Sequence, residues 1–512
     1  MSEDDGGQVM DHKDNRIIKG DNRPGVHFSP PEGWVNDPNG LIYYEGYYHL
    51  YYQYYPDGLT HGPMHWGHAR SADLICWEHL PVALYPDEHG EIFSGSMVYD
   101  RNNTSGFGTQ AQGPLVAVFT HHRKRGESVV QSQSLAYSMD GGNTFQKYAG
   151  NPVLNKGLRD FRDPKVFYYE PTGRWVMVLS AGQEVQIYRS LNLKEWEYES
   201  TFKSGDQEPG EIWECPDLFP MTPEDDETAK PSQHGQVWVL TVSVIIPERK
   251  YSCVRYFTGT FDGGKFTAQT PAGEKRILDY GYDFYAPVTY ENVRGRRILM
   301  GWQNRWAYAE MLPAVKFRGT MSFPRELKLK KSGEDYRIAQ YPVQELFEAA
   351  KPYPARTDKT AILLPGQPCY ITLELPLQDE TREFHLTNGR NCLKILVNTK
   401  TKELEINRAS AFPDDFGKEW LCRKISQKEM KHPEYLHMLL DTNSVELFWG
   451  EGEAVCSMLY YAESPFTKLQ AEDREVSFKL YRIPDEGRGN GKPDIPEPYI
   501  REKLKNKKEA AG

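Results

Sequence analysis

The 512-residue sequence lacks the features of membrane and secreted proteins. No apolar run approaches the roughly 20 residues that span a bilayer, and residues 1–20 are polar, without the apolar core of a secretory signal. The seven cysteines are dispersed and form no C-x-x-C pair, which indicates reduced thiols. We therefore expect a cytoplasmic protein that does not bind membranes, with residues 1–20 as a flexible lead.

Long basic runs and several common catalytic motifs are also missing. The formal net charge is −11, so nucleic acids and anionic membranes are poor candidate partners. The adjacent pair His121-His122 is not spaced to share a metal ion, and no G-x-S-x-G motif of a serine hydrolase occurs. The sequence predicts chemistry that uses neither a metal nor a cofactor, and it leaves the oligomeric state open.

Long amphipathic helices are absent from the pattern, whereas aromatic residues are abundant. Aromatic residues make up 13% of the chain, with 32 tyrosines, and aromatic and β-branched residues favour strands. The pattern from about residue 27 to 325 is short runs of this kind separated by turn residues. Examples are Leu41–Tyr55, Leu115–Thr120, Trp175–Leu179 and Val237–Ile245. This pattern predicts an all-β barrel, sandwich or propeller.

A weak internal repeat favours the propeller. The segment SADLICW, which begins at Ser71, is similar to SLNLKEW, which begins at Ser190, and SMDGGNTF from Ser138 is a looser copy. Each segment indicates the end of a strand, a polar turn and an aromatic residue that fills the core. Repeated blades produce such copies, and chance recurrence of common turn residues is the alternative.

The composition changes after Arg325 and again near the C-terminus. Residues 341–354 are compatible with a short helix before a proline-rich break, and alternating runs typical of a β-sandwich follow to residue 482. The tail is rich in Lys, Glu, Gly and Pro, as mobile segments are, although 498–504 is compatible with a short helix. The predicted division is a lead (1–20), a catalytic propeller (21–340), a linker (341–354), a sandwich (355–482) and a polar tail (483–512).

Three acidic residues are distinguished by their surroundings. Asp37 lies in WVNDPNG, Asp163 in FRDPK and Glu214 in WECPD. We expect Asp37 where a turn leads into a strand, and all three carboxylates at the start of inner strands that point into one central funnel. Converging carboxylates repel one another, so their pKa values separate and one can act as an acid while another stays ionised. Glycoside hydrolysis requires such a pair; the alternative for each residue alone is a turn-capping or ion-paired carboxylate.

These motifs resemble the signature blocks of glycoside hydrolase family 32, the β-fructosidases that include invertases, levanases and exo-inulinases. The resemblance covers about residues 24 to 480. Further matching segments, in order, are HWGH at 65–68, FSGS at 93–96, DFYA at 283–286, GW at 301–302, PREL at 324–327 and DTNSVELF at 441–448. The fold that it implies is all-β, a five-bladed β-propeller followed by a C-terminal β-sandwich.

The resemblance also implies residue roles. Asp37 would be the nucleophile, Glu214 the general acid and base, and Asp163 the residue that stabilises the transition state of a retaining reaction. Arg162 would in addition hold Asp163 ionised, and Cys215 would either tune Glu214 or be a small buried hydrophobic residue. The residues expected to bind substrate are Trp34, Asn36, Gln53, His61, Phe93, Ser94, Arg162 and Trp302.

One position departs from the family pattern. His61 precedes Gly62 where the family usually has tryptophan, which concerns the leaving-group side of the site. The implied activity is the exo-acting release of terminal β-D-fructofuranosyl residues from sucrose and related fructo-oligosaccharides or fructans, so the expected partner is a small carbohydrate. The alternatives are a fructosyltransferase with the same catalytic residues and an inactive sugar-binding propeller.

Overall fold

The computed structural model describes residues 22–484, apart from 225–235, 272, 334, 355, 359–360, 367, 379, 414–416 and 472–475. The predicted lead, the helix expected at 498–504 and nearly all of the tail lie outside these residues. The described chain forms five sheets arranged as blades, followed by two larger sheets, and the predicted fold class is confirmed. Within this part of the chain, no helix combines the length and apolarity needed to cross a bilayer.

Each blade has four main antiparallel strands. In chain order the blades contain Gly33–Tyr44, Tyr47–Tyr55, His65–Ser71 and Glu78–Leu84; Glu91–Tyr99, Leu115–Arg125, Ser128–Ser138 and Gln146–Lys147; Phe161–Tyr169, Arg174–Ala181, Val185–Ser190 and Glu197–Phe202; Ile212–Met221, Val237–Ile246, Tyr251–Phe261 and Phe266–Ala268; and Tyr285–Thr289, Ile298–Trp302, Arg325–Ser332 and Asp335–Pro342. Leu154–Asn155 pairs with the third strand of blade two. Phe317–Arg318, from a connection within blade five, pairs with the first strand of blade one and so joins the last blade to the first.

Two local predictions around the WVNDPNG motif were wrong. The motif is not a turn, because it lies inside the strand Gly33–Tyr44. The run predicted as one strand, Leu41–Tyr55, is split by a turn at Glu45 and Gly46, whose φ angles are 49° and 90°. Alternating aromatic residues mark a strand well but do not reveal a two-residue turn between strands. The short helix expected within 341–354 is present as Gln344–Ala349.

The internal repeat is real and marks equivalent turns. Its copies lie where the third strand of blades one, two and three leads into the fourth. In each copy a side-chain oxygen, from Asp73, Asp140 or Asn192, accepts two backbone N–H groups at 2.8–3.1 Å. Asp262 does the same in blade four, a copy that the sequence comparison missed.

The C-terminal domain consists of two antiparallel sheets. One sheet contains, in spatial order, Lys351–Pro352, Ser477–Arg482, Cys369–Glu374, Tyr435–Leu440, Ser444–Trp449 and Ala454–Leu459. The other contains Arg356–Asp358, Ala361–Leu363, Lys468–Ala471, Arg382–Thr387, Cys392–Asn398, Glu403–Asn407 and Cys422–Ser426. The inner faces of both sheets contribute to one apolar core.

Buried charges join this sandwich to the propeller. Arg325 of blade five binds Glu446 at 2.8 Å, and Arg408 of the sandwich binds Asp283 at 2.7 Å; all four side chains are fully buried. His27, ahead of blade one, lies between the sandwich carboxylates of Asp441 and Glu446, at 2.7 and 3.0 Å. Buried charges are tolerated only when they are paired, so these contacts hold the two domains in one relative position.

Candidate active site

The first strand of every blade has the same irregularity at the same level. Two residues of that strand face a single residue of the second strand, which defines a β-bulge. The bulged pairs are Asn36-Asp37, Phe93-Ser94, Asp163-Pro164, Cys215-Pro216 and Ala286-Pro287. Bulges turn side chains away from their regular direction, and here they bring Asp37, Ser94, Asp163 and Cys215, from four blades, into contact.

The bulges also explain the prolines beside the acidic residues. Proline has no N–H for strand pairing and is tolerated at bulges. The bulged N–H groups bind a neighbouring blade instead: Asp163 N donates to Thr120 Oγ1 at 3.0 Å, and Cys215 N to Asp163 Oδ2 at 2.9 Å. The φ angles of Asp163 and Cys215, 65° and 46°, lie in the left-handed region, a strain common at functional sites.

Asp37, from blade one, is held by neighbours on two other strands. Its Oδ2 accepts a hydrogen bond from Ser94 Oγ at 2.8 Å, and its Oδ1 accepts one from Asn36 Nδ2 at 3.1 Å. The sulfur of Cys215 lies 3.5 Å from Asp37 Oδ2 and 3.6 Å from Asp163 Oδ2. The thiol of Cys215 therefore bridges two of the three predicted carboxylates.

Of the three predicted catalytic carboxylates, Glu214 from blade four is the one that Arg162 binds most closely. Arg162 donates to Glu214 Oε1 from Nε at 3.2 Å and from Nη2 at 2.9 Å, whereas its Nε lies 3.9 Å from Asp163 Oδ2. The hydroxyl of Tyr285 donates to Glu214 Oε2. Arg162 also binds Asp160 at 2.7 Å, so a single guanidinium links three acidic residues.

The buried funnel raises the pKa values of two carboxyl groups. Burial raises the pKa of Asp37, and the negative charge of Glu214 adds to this effect. Burial raises the pKa of Asp163 to about 7; Arg162 opposes the increase, while Glu214 and Asp37 add to it. The expectation that Arg162 holds Asp163 ionised is thus met only weakly, because burial outweighs the ion pair.

The other predicted substrate-binding residues surround this cluster. Gln53 faces the bulge of blade one and donates from Nε2 to Ile92 O at 3.0 Å. Trp34 and Trp302 are fully buried and form the base of the aromatic wall, whereas Phe93 and His61 are half-buried. Burial lowers the pKa of His61 and so favours its neutral ring, although the charge of Glu310 opposes this effect.

Trp306 and Tyr285 are parts of the site that sequence analysis missed. The ring of Trp306 is half-buried, stacks on Trp34 at 6.1 Å between centroids and lies 5.6 Å from the His61 ring. Trp306 follows the GW motif in a loop without a signature of its own. Tyr285 belongs to the matching segment DFYA, which was a signal for it. Across the described ranges, no group of three His, Cys, Asp or Glu side chains is placed to hold a metal ion.

Converging carboxylates beside an aromatic wall fit the requirements of a glycoside hydrolase. The family models described as "Glycosyl hydrolases family 32 N-terminal domain" and "Glycosyl hydrolases family 32 C terminal" match residues 27–342 and 344–483. The chain therefore belongs to glycoside hydrolase family 32, which confirms the resemblance seen in its motifs.

Relatives of this chain are similar over most of its length. A levanase of Bacillus subtilis (strain 168) is 43% identical over 468 residues, which cover 87% of this chain and 67% of the relative. The levanbiose-producing levanase of the same organism is 33% identical, covering 92% of each chain. The crystal structure of an exo-inulinase from Aspergillus awamori superimposes with a TM-score of 0.82 at 29% identity, covering 91% of this chain and 99% of the inulinase.

Proposed function

We propose that this enzyme releases terminal β-D-fructofuranosyl residues from sucrose and fructans, with retention of configuration. The observation that carries the proposal is the cluster of Asp37, Asp163 and Glu214 around Cys215 and Arg162. Relatives named levanase and exo-inulinase support the substrate class. A β-fructofuranosidase from Schwanniomyces occidentalis, solved with fructosyl-erythritol, superimposes with a TM-score of 0.78 and supports it further.

In the first half-reaction Asp37 attacks the anomeric carbon of the fructosyl unit. A bond forms from Asp37 to that carbon as the glycosidic bond breaks, and Glu214 gives its proton to the leaving oxygen. The hydrogen bonds from Ser94 and Asn36 orient Asp37 and favour its ionised form. These bonds oppose the effect of burial, which raises the pKa of the nucleophile.

In the second half-reaction Glu214 acts as a base. It takes a proton from water, whose oxygen attacks the fructosyl-enzyme and restores Asp37 as a free carboxylate. Arg162 and Tyr285 both donate to Glu214 and keep it oriented through both steps. Asp163, whose pKa is about 7, contributes hydrogen bonds to the fructose hydroxyls and stabilises the positively charged transition state.

The proposed role of Glu214 is tested by Glu214→Gln. We expect kcat on sucrose to fall by about 10²–10⁴-fold, the usual worth of general acid catalysis. The loss should be far smaller on an aryl β-D-fructofuranoside, because its activated leaving group needs little protonation. Steady-state kinetics on both substrates provide the measurement.

The matched control is Glu211→Gln, a buried glutamate near the start of the same strand that binds Trp213 Nε1 at 3.1 Å. It should change both substrates alike. Equal losses for Glu214→Gln on the two substrates would remove Glu214 from the acid role. Chromatography of products from sucrose, 1-kestose, inulin and levan separates hydrolysis from transfer: free fructose supports the proposal, and longer oligosaccharides as the main product contradict it.

A further inference from the structure

The loop after the second strand of blade five forms the side of the pocket next to His61. Trp306, in this loop, lies 4.8 Å from the Trp302 ring and 5.6 Å from the His61 ring. Glu310, four residues later, accepts a hydrogen bond from His61 N at 3.0 Å. Residues 303–312, here called the Trp306 loop, therefore shape the side of the site next to His61, while the three carboxylates come from the first strands of the blades.

Tyr308 is one of the buried residues that fasten the Trp306 loop to the sandwich domain. The hydroxyl of Tyr308 donates to Asp283 Oδ1 and accepts from Arg408 Nη2 at 2.9 Å. Tyr308 is 1% exposed and Arg408 is fully buried. A hydroxyl that both donates and accepts charged hydrogen bonds in a buried site has little freedom to move.

Arg408 is itself fixed by the sandwich. Its Nη1 donates to Leu459 O at 2.7 Å and its Nε to Trp420 O at 2.9 Å, and its guanidinium stacks 3.7 Å above the Phe412 ring. A second contact also joins the loop to the sandwich: the guanidinium of Arg305 lies 4.5 Å above the Trp420 ring. The second domain thus helps to set the position of the Trp306 loop, together with propeller contacts such as Arg305 Nη2 to Lys250 O at 3.2 Å.

We propose that Tyr308 and Arg408 are positioning residues for the leaving-group side of the pocket, through which the sandwich sets substrate preference. The inference rests on the proposed function. Arg408 holds Tyr308, Tyr308 holds the loop, and the loop places Trp306 and Glu310 beside His61. The sugar that departs from the fructosyl unit contacts this wall, and the fructosyl unit itself is held elsewhere.

The test is Tyr308→Phe, which removes one hydroxyl and keeps the ring. We expect KM for sucrose to rise about 3- to 20-fold, the size of typical long-range couplings. The inhibition constant of fructose and kcat should each stay within about twofold, because a contact on the leaving-group side that binds ground and transition states alike acts on KM. Steady-state kinetics with fructose as competitive inhibitor provide all three values.

Ser457→Ala is the matched control. Ser457 Oγ also lies at the domain interface, donates to a buried aspartate, Asp279, at 2.7 Å and accepts from a buried arginine, Arg325, at 2.6 Å. This variant loses an equivalent pair of hydrogen bonds away from the Trp306 loop. Both variants should lose similar stability, and only Tyr308→Phe should raise KM.

A further variant, Trp306→Leu, tests whether Tyr308 acts through the position of Trp306 or through a general loss of rigidity. It leaves the hydrogen bond between Tyr308 and Arg408 in place. Trp306→Leu should raise KM, and Tyr308→Phe should add little in the Trp306→Leu background, because the two changes act on one contact. Full additivity, a KM for Tyr308→Phe equal to that of Ser457→Ala, or an equal rise in the fructose inhibition constant would each overturn the inference. A wild-type enzyme that releases no fructose would instead overturn the proposed function.

Discussion

Asp163 illustrates what the active site costs in stability at the level of one residue. Its backbone lies in the left-handed region. Its side chain is 7% exposed, and burial raises its pKa to about 7. An acid whose pKa is higher in the folded state than in the unfolded state destabilises the fold as pH rises between those two values. Function, not stability, accounts for an aspartate here.

Asp163→Asn should therefore stabilise the protein while it removes activity. The ordinary pKa is 3.8 and the folded value about 7; below pH 3.8 aspartate is neutral in both states and carries no penalty. The penalty develops from pH 3.8 to 7 and is complete above pH 7, where the gain for asparagine should be up to about 4 kcal/mol. Urea unfolding of both proteins at pH 4.5 and pH 8 measures the difference.

Asp160→Asn is the control for this prediction. Asp160 binds the same Arg162 at 2.7 Å, but its side chain is 34% exposed. Its replacement should give no gain in the free energy of unfolding that grows with pH. An Asp163→Asn variant less stable than wild type at pH 8 would show that the bond from Cys215 N to a charged oxygen outweighs the cost of burial.

At the level of elements, the turn after the third strand of a blade can be predicted from sequence, whereas the bulge in its first strand cannot. The turn after the third strand needs a side-chain oxygen at a fixed spacing, so Asp73, Asp140 and Asn192 appear as a repeat. The bulge in the first strand requires no particular residue. Pro38 and Pro164 hinted at an irregularity, but Asp-Pro is also common in turns, and the choice between turn and bulge depends on pairing with the second strand.

The turn at Asp73 can be tested by two substitutions. Asp73→Ala loses the hydrogen bonds from Ile75 N and Cys76 N and should lower the free energy of unfolding by about 1–2 kcal/mol, as the loss of comparable caps does. Asp73→Asn keeps the accepting oxygen, as blade three does naturally with Asn192, and should cost less than about 0.5 kcal/mol. Urea unfolding measures both; equal costs would show that the oxygen is not what stabilises the turn.

At the level of the whole molecule, the interface between domains is charged and buried. His27 lies between two buried carboxylates. Burial alone lowers the pKa of His27, but Asp441 and Glu446 together raise it to about 9. A base with a raised pKa stabilises the fold fully below its ordinary pKa of 6.5, and this stabilisation is lost as pH rises through about 9.

The domain interface should therefore weaken in alkali. Wild type should lose about 3 kcal/mol of stability between pH 6.5 and 9.5 from this one residue, and His27→Gln, already weaker at pH 6.5, should show a smaller loss over that interval. Urea unfolding across the pH range is the measurement. The control is His432→Gln, which removes a surface pair with Glu434 and should lose as much stability as wild type over this interval. If His27→Gln also loses as much as wild type, the ion pairs of His27 contribute nothing.

The residues of the site that lie within short sequence motifs could be predicted. Asp37, Ser94, Asp163 and Glu214 lie within such motifs, and the structure brings them together. Trp306 was not predictable, because its position depends on Tyr308 and the sandwich rather than on adjacent residues. The family pattern could direct attention to His61, but the rings around it became known only from the fold.

The bulges have a consequence for how such a protein can change. Their residues do not pair with the second strand, so strand pairing within a blade depends little on what those side chains are. Each of the five blades thus has one two-residue bulge at the same level of the ring, where side chains can differ without a change in the pairing of the strands. Exchange of a bulge residue should therefore alter the chemistry of the funnel with little effect on pairing within its blade, whereas Glu214, which pairs with Ser243, lies outside this rule.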